Sequence, residues 1–226
     1  MVDAVYEVST WVVPILLAIT LHEAAHAWMA YRLGDDTAQR LGRITLNPFK
    51  HIDPVGTVAM PALLIMSGLP PFGYAKPVPV RFDRLVDPKR DMVWVAAAGP
   101  GANIIMAVGA ALMLNLFAYS QGAIGEWMSI MLGNMIGINL ILAVFNMIPL
   151  PPLDGGRVAT GLLPMPLATK FAQLERFGFL IIFGLILLPY LLRNLIGIDI
   201  NIIGMTILPV AQFLYDHVIS LFIFVG

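Results

Sequence analysis

His22-Glu23-Ala24-Ala25-His26 sets two imidazoles four residues apart. On a helix, positions i and i+4 share a face, so both rings reach one metal ion. Glu23, about 100° around from His22, stands close enough to serve as a general base toward water at that metal. A zinc hydrolase ordinarily supplies three protein ligands and keeps a fourth position open. The sequence has no cysteine, and His51 and His217 are its only other histidines. Asp154, which precedes Gly155-Gly156, is the stronger third ligand. A divalent ion, Asp154 and an ionised Glu23 together carry no formal charge, which suits a low-dielectric setting. Two imidazoles, one carboxylate and an open position suit zinc, although Fe(II) binds the same set. The plainer readings are a helix with incidental histidines and an ordinary Asp-Gly turn.

The elements that must carry these groups lie in a membrane. Of 226 residues, 59% are hydrophobic and 12% charged, against about 45–50% and about 25% in average soluble domains. The same figures exclude disorder, and a net charge of −1 gives no basic field for nucleic acid. No Asp, Glu, Lys or Arg occurs from Met92 to Gly125, from Trp127 to Leu153 or from Phe177 to Leu192. Another uncharged run, Ile200–Tyr215, is closed by Asp216. With roughly 20 apolar residues needed to cross the hydrocarbon, the sequence predicts helices at about 8–31, 92–118, 127–149, 177–195 and 200–222. The first carries His22, Glu23 and His26 inside it, and ionisable side chains are costly in lipid unless they are paired or functional. Pro189, Pro209 and Asp216 make the last two spans the least regular.

The stretch 54–75 is uncharged but too short and too rich in proline to span. Arg32, Arg40, Arg43 and Lys50 precede it, and Lys76, Arg81, Arg84, Lys89 and Arg90 follow. Both flanks are therefore cytoplasmic under the positive-inside rule, and the segment is re-entrant or interfacial. The expected topology has five spans, the N-terminus outside and the C-terminus cytoplasmic, with only Arg193 of the 13 basic residues outside. Gly133 and Gly137 form a GxxxG pair, and Ala96–Gly101 is nearly all small residues, so both favour close helix approach. Residues 1–226 read as a single domain: an all-α polytopic membrane protein. Short membrane-edge β-strands are possible at 41–46 and 77–80, where an unwound substrate could pair by backbone hydrogen bonds. The prolines at 149, 151 and 152 break the third span, and irregular backbone at membrane depth persists only in a protein interior or wet cavity. Asp154 thus projects from a broken helix end on the side where the HExxH helix finishes.

HExxH in the first core helix, Gly99-Pro100-Gly101-Ala102-Asn103 in the next, and Asn146…Pro149…Leu153-Asp154-Gly155-Gly156 in the third resemble the site-2 protease family of intramembrane zinc metalloproteases. Asn47-Pro48, the run from His51 to Thr57 and the run from Phe72 to Val80 are similar to its short prokaryotic members, which have no PDZ or CBS domain. The resemblance implies cleavage of transmembrane protein substrates in the cell membrane, with His22, His26 and Asp154 as zinc ligands and Glu23 as the catalytic base. Asn103 and Asn146 fall in the matching motifs, where either donates to the oxyanion, positions the substrate carbonyl or simply bonds helix to helix. His51 reads as an interfacial loop residue, and His217 as a group at the cytoplasmic interface. Two other readings remain at this point: a metal-ion transporter, which needs paired broken helices, and a silent relative that binds membrane helices. The oligomeric state is not legible.

Overall fold

The computed structural model describes residues 2–69, 73–117, 120, 122–199 and 201–224. Pro70, Pro71, Phe72, Ala118 and Ile200 lie outside them, so those parts of the expected segments have no structural account. Five helices among the described residues are long and apolar enough to cross a membrane. They are α1 (Val2–Arg32), α4 (Pro88–Phe117), α5 (Ala123–Asn146), α8 (Glu175–Ile196) and α9 (Ile202–Phe222). Short helices fill the connections: α2 (Thr37–Arg40), α3 (Met60–Met66), α6 (Asp154–Leu162) and α7 (Met165–Ala172). The chain is an all-α integral membrane protein.

Local chemistry explains the boundaries. α4 starts four residues before the expected Met92 because Pro88 is preorganised for a first helical turn. Asp87 and Asp91 then cap each other: the Asp91 carboxylate accepts from Asp87 N at 2.9 Å and the Asp87 carboxylate accepts from Arg90 N at 3.2 Å. α8 stops at Gly197, whose φ of 71° is left-handed, and its N–H donates back to Arg193 O at 3.2 Å. α9 opens on Asn201, whose side chain accepts from Gly204 N at 2.7 Å. Pro189 and Pro209 do not interrupt these helices. One missing backbone bond is tolerated when neighbouring groups absorb it.

The segment after Lys50 is a π-helical turn, Pro54–Ala59, followed by the seven residues of α3. At about 1.5 Å per residue it cannot cross the bilayer. The Asp53 carboxylate caps it, accepting from Val55 N and Gly56 N. Its two arms are bound together: Tyr74 N donates to Gly56 O, Thr57 Oγ1 donates to Tyr74 O, and Arg43 Nη2 donates to Lys76 O at 2.7 Å. Residues 41–46 and 77–80 form no strand among the described residues.

α1, α4 and α5 pack together as the core, with α9 against α4 and α5. Ala107, Ala110 and Ala111 face Met131, Leu132, Met135, Ile136 and Leu140. Lipid tails are as apolar as leucine, so close packing and buried polar bonds must supply the association energy. The polar bonds are present. Trp127 Nε1 donates to Ser9 Oγ at 2.8 Å, and Asn134 Nδ2 donates to Thr10 Oγ1 at 3.1 Å. The GxxxG pair plays no such part: space next to Gly133 and Gly137 is open, and alanines on α4 make the close approach instead.

Candidate metal centre and active site

His22 and His26 leave α1 on one face, as their spacing requires, and their Nε2 atoms lie 3.0 Å apart. α5 ends at Asn146, the proline-rich loop turns the chain, and α6 begins at Asp154. That turn brings Asp154 Oδ2 to 3.2 Å from both imidazole Nε2 atoms. All three side chains are buried, and they form a group able to hold one metal ion. The loop packs tightly because Gly155 and Gly156 leave no side chain between α6 and the backbone at 147–151.

The donor set itself tests the fit to a cation. His26 Nδ1 lies 2.7 Å from Val95 O, which can only accept, so Nδ1 carries the proton. His22 Nδ1 lies 2.6 Å from Asn103 Oδ1, whose amide nitrogen donates to Ala18 O at 3.2 Å. The oxygen end of Asn103 therefore faces His22, and His22 Nδ1 is also the protonated nitrogen. Both Nε2 atoms then present lone pairs to each other and to Asp154 Oδ2, a buried oxygen with no hydrogen-bond partner. Three acceptors with no donor among them are the arrangement a divalent cation relieves, and two imidazoles with one carboxylate suit zinc.

Gly99 explains how the rings come so close to α4. A Cβ at that position would sit 2.4 Å from His26 Nε2 and 2.7 Å from His22 Cε1. Any side chain at 99 would displace both imidazoles.

Glu23, half-buried, lies beside this group, and its Oε2 accepts from Val78 N at 2.9 Å. The segment 77–80 is thereby fixed against the HExxH turn. Pro77 and Pro79 have no N–H and that of Val78 is engaged, so Val80 is the only other N–H donor in 77–80. A cavity of about 520 Å³ opens onto His22, Glu23, His26 and Asp154. Its apolar walls include Leu142, Phe145, Tyr74, Phe179 and Ile182, and Asn146 also lines it. This is a mostly apolar slot with a carboxylate at one wall.

The other sequence-level candidates separate. Asn146 borders the cavity, with its Nδ2 donating to Leu142 O at 3.0 Å. Asn103 is fully buried behind His22 and is not among the cavity-lining residues. His51 is buried in the loop that precedes the π-helical turn, with Nε2 3.1 Å from Thr45 O. His217 is exposed on α9 beside Phe213 O. Sequence reasoning missed Asn139, which is fully buried and bonded to Asn103. An amide inside an uncharged span was the available signal.

Residues 116–188 match the model of peptidase family M50, a stretch that includes Asp154. The chain is 39% identical over 182 residues to the Bacillus subtilis protein named "Putative zinc metalloprotease YwhC", covering 79% of this chain and 80% of that protein. It is 29% identical over 178 residues to "Putative zinc metalloprotease Rip2" of Mycolicibacterium smegmatis, covering 79% of this chain and 66% of the relative. The Mycobacterium tuberculosis protein of that name is 27% identical over 177 residues, with 78% and 66% covered. No solved structure matches the chain.

Proposed function

The chain belongs to peptidase family M50 and is a zinc metalloprotease, and from that premise we propose that it hydrolyses a peptide bond in or near a transmembrane segment of a membrane-protein substrate. Family membership sets aside the transporter reading. The observation that carries the proposal is the convergence of His22, His26 and Asp154 inside a chain with five membrane-length helices. In this reading those three hold the zinc and Glu23 is the catalytic base. When bound, zinc supplies a Lewis acid that polarises the scissile carbonyl and makes water a stronger acid.

The chain's own groups do the rest. Val78 N–H holds Oε2 of Glu23, which orients a carboxylate that lines the cavity, and in this reading that carboxylate takes a proton from the attacking water. The same carboxylate then returns that proton to the leaving amine. The Nδ1–H bonds to Asn103 and Val95 keep the two imidazoles turned inward. In this reading Asn146, which lines the cavity, binds the substrate carbonyl. The apolar walls exclude bulk water and accept the side chains of an unwound helix.

The basic residues from Arg32 to Arg90 gather at the end of α1, around the re-entrant segment and at the start of α4. The positive-inside rule makes this end cytoplasmic, so the N-terminus lies outside, the C-terminus inside and the cut near the cytoplasmic leaflet. Reconstitution with a labelled transmembrane substrate tests the proposal. Glu23→Gln keeps zinc and loses about 10²–10⁴-fold in cleavage rate, because an amide cannot accept the proton. Undiminished cleavage by that variant, or cleavage only of soluble peptides by the native protein, ends this reading.

A further inference from the structure

Resting on the reading that His22 is a zinc ligand, we infer that Asn139 on α5 is a positioning residue that fixes His22 through Asn103 on α4. The bonds run in one line through the core. His22 Nδ1 meets Asn103 Oδ1 at 2.6 Å, Asn103 Nδ2 donates to Asn139 Oδ1 at 2.7 Å, and Asn139 Nδ2 donates to Met135 O at 2.8 Å. Asn103 Nδ2 also donates to Ala18 O at 3.2 Å. Both ends of the line are set by backbone carbonyls, Ala18 O and Met135 O, which only accept. Neither amide can flip without opposing two acceptors. The proton on His22 is therefore held at Nδ1, and Nε2 stays open toward Asp154.

The two histidines show why a second amide is needed. His26 leans on Val95 O, an atom fixed by the backbone of α4. His22 leans on a side chain that rotates, and Asn103 by itself has only the longer bond to Ala18. Asn139 supplies at His22 the rigidity that a helix backbone supplies at His26. Both amides are fully buried, and burying an amide is costly unless every bond is made.

Zinc affinity of the purified full chain, measured by competition with a chromophoric chelator, tests the inference together with the visible spectrum of the Co(II)-loaded protein. Asn103→Leu lowers affinity by about 10–100-fold, and Asn139→Leu by about tenfold. The double variant binds no more weakly than Asn103→Leu alone, because the second residue acts through the first. Asn139→Asp restores affinity to within about twofold: burial keeps the acid neutral, its O–H donates to Met135 O and its carbonyl accepts from Asn103. A merely structural role would lower the thermal midpoint while leaving affinity and spectrum of the folded protein unchanged. Native affinity in Asn139→Leu, losses that multiply in the double variant, or an Asp variant as weak as the Leu variant would each overturn the relay. If Asn139→Leu does not accumulate, Asn139→Ala carries the same expectation. Native protein that binds zinc tightly yet cuts no transmembrane substrate ends the functional proposal and leaves the relay standing.

Discussion

α1, α4 and α5 bury 33%, 44% and 39% of their apolar windows inside the protein, whereas α8 and α9 bury 6% and 17%. The first three carry the imidazoles, Glu23, Gly99, Asn103 and Asn139, and α5 leads into the loop that delivers Asp154. The last two contribute less: from α8, Glu175, Phe179 and Ile182 line the cavity and Tyr190 Oη donates to Gly68 O, while α9 packs Val218 into the core. Geometry good to fractions of an ångström therefore resides where packing and buried polar bonds over-determine each helix. α8 supplies one wall of the cavity, and α9 packs against α4 and α5. A membrane gives no hydrophobic reward for burying α8, so its loose fit is stable as it stands.

That contrast can be broken most severely at Gly99. Gly99→Ala puts a methyl within 2.4 Å of His26 Nε2, so metal analysis should find less than about a tenth of native zinc and no cleavage. If zinc and activity survive, the core is not the rigid element described here.

Asp35 comes next, just past the end of α1. Its buried carboxylate accepts from Thr37 N at 3.0 Å, from Thr37 Oγ1 and from Arg81 N at 2.7 Å, tying the HExxH helix to the segment after Val80. Burial pushes this carboxyl up, but the bonds from Thr37 and Arg81, with Arg84 nearby, outweigh it and hold it below the usual carboxylate range. A carboxyl lowered on folding adds stability above its unfolded value of about 4, and that stability is lost as pH falls toward the folded value. Asp35→Asn should cost about 1–3 kcal/mol at neutral pH in a denaturation experiment in detergent. Its stability should also depend less on pH below about 4 than that of the native protein. An unchanged acid profile would remove Asp35 from the site's support.

A smaller effect is expected where α8 meets the loop before Asp154. A Cβ at Gly178 would approach Pro151 O at 2.3 Å and Pro152 Cδ at 2.2 Å. Since α8 is the looser partner, Gly178→Ala should shift α8 and leave zinc content native, and cleavage should fall about tenfold or less. Loss of zinc would show that the clash is relieved by moving the loop instead. Tyr190→Phe removes one exposed bond and should change stability by under about 1 kcal/mol, with cleavage within about threefold of native.

The contrast also marks how far the residues could be read without coordinates. Spans were legible because apolar runs of bilayer length are a one-dimensional signal, and Pro54–Met66 was legible as too short to span for the same reason. The starts of α4 and α9 were not, since they depend on reciprocal caps such as Asp87 with Asp91. His22, Glu23 and His26 followed from helical spacing, and the proline-broken span singled out Asp154. Asn103 was noticed for its motif, but its position behind His22 depends on α1 and α4 crossing at Gly99. Asn139 stood out only as an amide in an uncharged span, and its role was not legible because its partner is 36 residues away in the chain. The GxxxG pair shows the reverse: a valid local pattern that the actual packing leaves facing open space.

By itself the sequence determined which segments are long and apolar enough to cross a membrane, which residue types offer ligands, and that two imidazoles share a face. These follow from hydropathy and from the period of the helix, both properties of neighbours along the chain. Only the tertiary structure decided that Asp154 closes on Nε2 of both histidines, that Val78 N–H holds Glu23, and that two buried amides stand behind His22. Those contacts join groups from 36 to more than 130 residues apart, and their geometry depends on how whole helices cross.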